Sequence, residues 1–268
     1  MVKICVLASG STGNSSLVAT GETRLLVDAG LSFKETARRL ECAGESAERL
    51  DAILITHEHC DHIAGLARIA KRLKIPVYLT PLTAPSIDWN GYSPTLELFQ
   101  AGTSFRIGDI EVDSFTIPHD AKDPVGFSFR SQGVKLAIVT DLGYVTDSVR
   151  VHLRGTDLLV LESNHDLDML KVGPYPWAVK QRVMSRVGHL SNAVVSDFIL
   201  EDLDPEVATL VLGHLSEHNN HPAIARLVAE QSLERRGLRT QLVVASQKNA
   251  TEVFEFAKER AGSSRLLW

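Results

Sequence analysis

Short apolar runs, each stopped by a polar or turn-forming residue, dominate the chain and predict a strand-rich protein. Residues 3–8 and 23–27 read as short buried strands. Ser32 followed by Glu35 is a capping-box pattern that opens a helix to about residue 40. A strand at 52–56, a helix at 63–73 and a strand at 77–79 follow. Strand-like runs recur at 110–117, 125–130 and 135–140, and again at 157–161, 207–212 and 240–245. Helices are predicted at 192–201, 222–236 and 250–260; His221-Pro222 opens the second, and Asn249 with Glu252 opens the third. Hairpin-like strands fill the middle of the chain, and strands alternate with helices late in it. The mixture predicts an α/β (α+β) fold of two mixed sheets packed together with helices outside, as one domain over residues 1–268.

Groups of one chemical kind collect where the apolar runs end. After Ala52-Ile53-Leu54-Ile55 comes His57-Glu58-His59-Cys60-Asp61-His62, three imidazoles and an aspartate within six residues. Neutral imidazole and carboxylate are the ligands that borderline divalent cations such as Zn2+ take. A strand that ends and then turns lets His57 and His59 reach one ion, and Asp61 and His62 a second. His119, Asp141 and His214 each follow a further apolar strand. An aspartate at a strand end is commonly a turn former, but three such placements beside the cluster point to one metal centre. The HExxH pattern of helical zinc proteases starts at His57-Glu58 and fails, because residue 61 is aspartate and no helix is predicted there.

Composition narrows the setting. At 268 residues, 44% hydrophobic and 23% charged, the chain suits an ordinary soluble protein with a substantial core. No run is long and apolar enough to span a bilayer. Met1-Val2-Lys3-Ile4-Cys5 enters a strand-like stretch without a signal-peptide pattern. Cys5, Cys42 and Cys60 are odd in number and lack CxxC spacing, which argues against a disulfide framework. Cytoplasmic residence is therefore the default expectation, with no membrane partner. The net charge of −5 does not mark a nucleic-acid binder, yet phosphate binding needs only a local basic surface. Bound cations would add positive charge that this sum omits.

His57, His59, Asp61 and His62 form a full HxHxDH signature, and with it the chain resembles the metallo-β-lactamase superfamily. The resemblance implies a four-layer αββα sandwich with metals at one edge. It implies that His57, His59 and His119 hold a first divalent ion, that Asp61, His62 and His214 hold a second, and that Asp141 bridges them. Asp28, in Leu26-Val27-Asp28-Ala29-Gly30, matches a motif that supports the ligand loop by hydrogen bonds. Glu58 and Cys60 are expected to point away. A set without cysteine and with a bridging carboxylate favours hydrolysis over a structural zinc site. The mixed nitrogen and oxygen ligands suit Zn2+, Mn2+ or Fe2+.

Further strings occur in one order. They are Ser9-Gly10-Ser11-Thr12-Gly13-Asn14, Pro118-His119-Asp120-Ala121 with Pro124-Val125-Gly126-Phe127, Thr140-Asp141-Leu142-Gly143, Leu161-Glu162-Ser163-Asn164-His165-Asp166, Gly188-His189-Leu190-Ser191-Asn192 and Gly213-His214-Leu215-Ser216. That order looks like the WalJ/YycJ branch and covers almost the whole chain. The branch implies a DNA exonuclease of 5′→3′ polarity, with hydroxide shared by two cations attacking phosphorus in line and DNA as the partner. Asp61 is expected to orient that water as well as bind metal. His189 resembles a non-ligand histidine that contacts the scissile phosphate or protonates the leaving oxygen. His165 is expected at the cleft, as a catalytic contact or as support. Asn164, Ser191 and Asn192 are expected at the substrate, the last two at a helix start that favours phosphate. Lys171, Tyr175, Trp177, Lys180, Arg182 and Arg186 interleave cations with aromatics, which suits a nucleic-acid strand. The 9–16 loop could cradle a terminal phosphate, though it lacks the P-loop lysine. A cyclic phosphodiesterase shares most of these motifs, and a non-catalytic adaptor for nucleic acid is a third reading. Oligomeric state and the role of the 263–268 tail are open.

Overall fold

The computed structural model describes residues 1–258. Strands β1 (Val2–Ala8), β2 (Ser15–Ala19), β3 (Arg24–Val27), β4 (Ala52–Leu54), β5 (Val77–Leu79) and β6 (Leu96–Leu98) lie side by side in one sheet. Strands β7 (Ser104–Ile107), β8 (Ile110–Thr116), β9 (Val125–Ser131), β10 (Val134–Val139), β11 (Leu158–Glu162), β12 (Thr209–Gly213) and β13 (Gln241–Val244) form the second sheet. The chain then returns to the first sheet as β14 (Phe254–Phe256), antiparallel to β1. Each sheet is mixed: β1–β3 and β7–β10 pair antiparallel, while β3–β6 and β10–β13 pair parallel.

Alternation along the strands decides the layering. Ile4 and Val6 of β1, Leu54 of β4, Leu136 and Ile138 of β10 and Val160 of β11 meet between the sheets. Their neighbours turn outward under helices. Cys5, Leu7, Ile53 and Ile55 pack beneath α1 (Phe33–Cys42) and the helix at Leu66–Leu73. Ala137, Val139, Leu159 and Leu161 pack beneath helices at Asp147–Leu153, Asn192–Glu201 and Pro222–Arg236. Strands buried on both faces read as continuous apolar runs, and the result is the expected αββα sandwich.

Several local expectations need correction. The 63–73 helix is two pieces, α2 (Cys60–Ile63) and α3 (Leu66–Leu73), so Asp61 and His62 do stand on a helical turn. The break is Gly65, whose N–H donates to the Ala29 carbonyl and where a Cβ would lie 1.8 Å from the Leu31 carbonyl oxygen. The 250–260 helix is absent from the described residues. Phe254 is buried beside β1 and Glu255 pairs with Lys3 at 2.9 Å, so strand pairing overrides the local capping signal. The polar stretch 9–16 hides the start of β2, and no clear pattern marks β6, β7 or the helices α4 (Asp147–Leu153), α5 (Leu167–Val172) and α6 (Trp177–Val183). The helices predicted at 192–201 and 222–236 form as α7 (Asn192–Glu201) and α8 (Pro222–Arg236). The 263–268 tail lies outside the described residues. No helix among those residues is long and apolar enough to cross a membrane.

Candidate metal centre

The polar ends of β3, β4, β8, β10, β11 and β12 converge at one edge of the sandwich. Asp28, Asp141 and His214 follow β3, β10 and β12, and each takes a left-handed backbone, with φ of 60°, 62° and 52°. That conformation is uncommon outside glycine. Here three strands end in it and turn a ligand-type side chain back over the sheet edge, a local cost of the kind found at functional sites.

Candidate ligand atoms fall into groups. His57, His59 and His119 offer atoms within 4.8 Å of one another, and so do Asp61, His62 and His214. Asp141 stands between the groups: its Oδ1 is 3.8 Å from His119 Nε2 and 3.1 Å from His214 Nδ1, and its Oδ2 is 3.3 Å from His62 Nε2. His57 Nε2 and Asp141 Oδ2 are buried and have no hydrogen-bond partner among the described residues. Orphaned buried polar atoms are costly, and a cation would satisfy both. The donor set of imidazole nitrogens and carboxylate oxygens therefore fits divalent metal.

Surrounding groups aim these ligands. Asp28 Oδ1 accepts from the Thr56 N–H (2.9 Å), and Oδ2 accepts from His62 Nδ1 (2.8 Å), which leaves His62 Nε2 facing the centre. His119 Nδ1 donates to the Gly188 carbonyl at 3.2 Å, again freeing Nε2. Asn14 Nδ2 donates to Asp61 Oδ2 (3.0 Å), and Ser9 Oγ accepts from the His214 N–H (2.7 Å). The 9–16 loop thus braces both ligand loops, and of its residues Ser11 lines the cavity. Gly30 permits this closeness, since a Cβ there would sit 1.8 Å from the Asp61 carbonyl oxygen. Half-buried Glu58 accepts from the Lys122 N–H, and Cys60 is exposed.

Glu162, to which sequence reasoning gave no role, joins several of these side chains. Fully buried at the end of β11, its Oε1 accepts from His214 Nδ1 (2.7 Å), His189 Nδ1 (2.9 Å) and the Asp141 N–H (3.2 Å). Its Oε2 accepts from the Leu142 and Leu190 N–H groups. Its position as an acid ending an apolar run, inside the Leu161–Asp166 string, was the available signal.

Charge organises the site. Burial alone would raise Glu162, but His189 and His214 hold its carboxyl down at about 2. Burial opposes protonation of His189, His62 and His214, yet neighbouring carboxylates raise all three: Glu162 for His189, Asp28 and Asp141 for His62, Asp141 and Asp61 for His214. Burial also opposes ionisation of Asp61 and Asp141, but surrounding histidines pull both well down. Burial pushes His57 and His119 down, toward the neutral form that binds metal. The centre is a sink for positive charge.

A cavity of about 180 Å3 opens onto it, lined by His59, Asp61, Asp141, His189 and His214 and walled by Asn164, Tyr175, Arg182 and Ser216. His189 stands between His119 and His214, its ring 5.1 and 5.2 Å from theirs. The other expected contacts lie in the cavity wall or behind it. His165 is buried off the cavity lining, with Nδ1 unpartnered and its pKa pushed by burial down to about 4. Ser191 caps α7 with its side chain, and Asn192 spends its amide on Ser163 and Asn220 inside the wall. Both are buried at the helix start, and neither lines this cavity. Asn164 reaches the lining, but its Nδ2 donates to the His214 carbonyl at 2.9 Å and so braces a ligand loop.

Known proteins share this architecture. Residues 23–215 match the β-lactamase superfamily domain. Exodeoxyribonuclease YycJ of Bacillus anthracis is 42% identical over 240 residues, covering 87% of this chain and 89% of the relative. Exodeoxyribonuclease WalJ of Streptococcus pneumoniae is 36% identical over 241 residues, covering 88% and 90%. Among solved structures, the metallo-β-lactamase fold protein YhfI from Bacillus subtilis aligns with a TM-score of 0.73 at 20% identity, over 95% of this chain and all of that one. With HxHxDH, His119, Asp141 and His214 gathered at one sheet edge, the chain belongs to the β-lactamase superfamily, in the branch that holds YycJ and WalJ.

Proposed function

We propose that the protein hydrolyses phosphodiester bonds at DNA ends with two divalent cations, Zn2+ or Mn2+, with Fe2+ also suited to the ligands. The observation that carries this reading is the convergence of seven ligand-type side chains around two unpartnered buried atoms, His57 Nε2 and Asp141 Oδ2. His57, His59 and His119 would hold one cation, Asp61, His62 and His214 the other, with Asp141 shared. When bound, such cations supply Lewis acidity toward phosphoryl oxygens and a nucleophile from water near neutral pH.

The chain's own residues complete the chemistry. Glu162 accepts from His189 Nδ1 and favours its charged form, so Nε2 carries a proton at the cavity. That proton passes to the oxygen leaving phosphorus. Asp61, braced by Asn14, orients water as well as metal. A cavity of about 180 Å3 receives a strand end in preference to a duplex. Exposed Trp177 at the start of α6 offers a ring on which a base stacks. DNA as substrate and 5′→3′ polarity are supported by the named activity of the two relatives.

Product mapping on end-labelled single- and double-stranded DNA and RNA, with each metal added back, tests the proposal. The expected result is stepwise shortening of DNA from its 5′ end, abolished in Asp141→Asn. The small cavity also suits a cyclic phosphodiester, so turnover of a cyclic phosphate with intact DNA would favour that reading instead. Binding of DNA without turnover of either would leave an adaptor.

A further inference from the structure

Resting on the nuclease reading, we infer that Arg182, steadied by Asp120, grips the phosphate that flanks the cleaved one. Four cationic side chains line the segment from 171 to 186, and three of them are otherwise engaged. Lys171 Nζ pairs with Asp168 at 3.0 Å. Lys180 is buried with Nζ on the Lys171 carbonyl at 2.7 Å. The Arg186 guanidinium lies 4.3 Å over the Tyr144 ring. Arg182 is the one that lines the metal cavity.

Its geometry is that of a held fork. Arg182 Nε donates to Asp120 Oδ2, while its two terminal nitrogens make no hydrogen bond among the described residues. The side chain is 61% exposed, so those nitrogens are open to a ligand. A planar guanidinium with both terminal nitrogens open matches two oxygens of one phosphate. Both partners are fixed from behind. The Asp120 N–H donates to the Val187 carbonyl (3.1 Å), and the His189 N–H donates to the Val183 carbonyl next to Arg182 (2.9 Å). The clamp is therefore tied to the loop that carries His189.

Position decides which phosphate it meets. Asp120 Oδ1 lies 3.5 Å from His119 Nε2, so the pair sits just outside the ligand ring on the His57–His59–His119 side. A phosphate between the two ligand groups is already served by the centre, and the next one along the strand falls to Arg182. A bare guanidinium this close to dications would be repelled, and the Asp120 carboxylate offsets that repulsion. Asp120 is thus a positioning residue, and Arg182 the substrate contact.

The test removes charge from each side of the contact. Oligonucleotides carry one neutral methylphosphonate in place of the phosphate on either side of the cleaved linkage. The native protein should slow roughly 10- to 100-fold for one of the two positions, the worth of a hydrogen bond to a charged group. Arg182→Gln should slow by a similar factor on all-phosphate DNA and slow no further with that methylphosphonate. Arg182→Lys should recover part of the rate, and Asp120→Asn should raise KM with kcat largely kept. Metal content measured for each variant confirms that the centre is intact. Multiplying losses in Arg182→Gln and Arg182→Lys, or a native protein indifferent to both methylphosphonates, would overturn the clamp while leaving the nuclease reading standing. A native protein that hydrolyses bis(p-nitrophenyl) phosphate but shortens no DNA would instead sink the nuclease reading, and the clamp with it.

Discussion

Two regions of this molecule bury aspartates, and they treat them differently. On the outer face of the second sheet, Asp113 accepts from Ser104 Oγ (2.6 Å), Ser128 Oγ (3.2 Å) and Arg130. Both of its oxygens accept hydrogen bonds from the protein. At the sheet edge, Asp141 is buried more deeply yet keeps Oδ2 unpartnered among the described residues, facing histidines. The larger concavity lies over the satisfied region, about 920 Å3 lined by Arg106, Arg130, Lys135 and Arg154, while the ligand cluster opens onto about 180 Å3. Unmet hydrogen-bonding capacity, more than the size of a hollow, separates a site built for chemistry from one built for folding.

The sharpest way to break this contrast is to neutralise each aspartate. Asp141→Asn should lower DNA turnover by roughly a thousandfold or more, with a fall in bound metal seen by elemental analysis. Asp113→Asn should leave turnover near native. Comparable losses in both would erase the distinction. A step smaller, His189→Ala should retain the metals and lose roughly 10²–10⁴ in kcat. A variant that cuts at the native rate would remove His189 from the chemistry.

The pH profile sharpens the role of Glu162. Glu162 raises the His189 pKa against the effect of burial, so His189 stays a proton donor to higher pH than an ordinary imidazole. Activity should therefore fall as pH rises through that raised value, and Glu162→Gln should move the fall to lower pH. An unmoved profile would mean that Glu162 only supports the wall.

The smallest effect belongs to the satisfied region. Burial opposes ionisation of Asp113, but Ser104, Arg130 and Ser128 hold its carboxyl below the ordinary value. A depressed pKa adds stability above the ordinary carboxylate range and loses it as pH falls through the folded value. Asp113→Asn should cost about 1 kcal/mol near neutrality, and the gap between variant and native melting temperatures should narrow on acidification. A gap that widens in acid would contradict the assignment.

Much of this was legible in the chain itself. Strands such as β10 and β11 are buried on both faces, so their apolar runs announce them without any helical competitor of that length. Histidine and aspartate stand out against such runs, which is why His57, His119, Asp141 and His214 could be picked before their distances were known. Glu162 could not, because one acid closing a strand resembles any strand end until its five hydrogen-bond partners are in view. Ser191 and Asn192 carry a related ambiguity: the hydroxyl and amide that suit a phosphate also cap a helix and knit a buried network. Phe254-Glu255-Phe256 carries a two-residue alternation too short to outweigh the Asn249 and Glu252 signal, and its strand exists only because β1 offers an edge.

Anomalous diffraction from crystals loaded with Mn2+ is the most direct measurement. Two peaks about 3.5–4 Å apart are expected, one against His57, His59 and His119, the other against Asp61, His62 and His214, and both touching Asp141. A single peak away from Asp141, or none among these side chains, would contradict the two-cation centre.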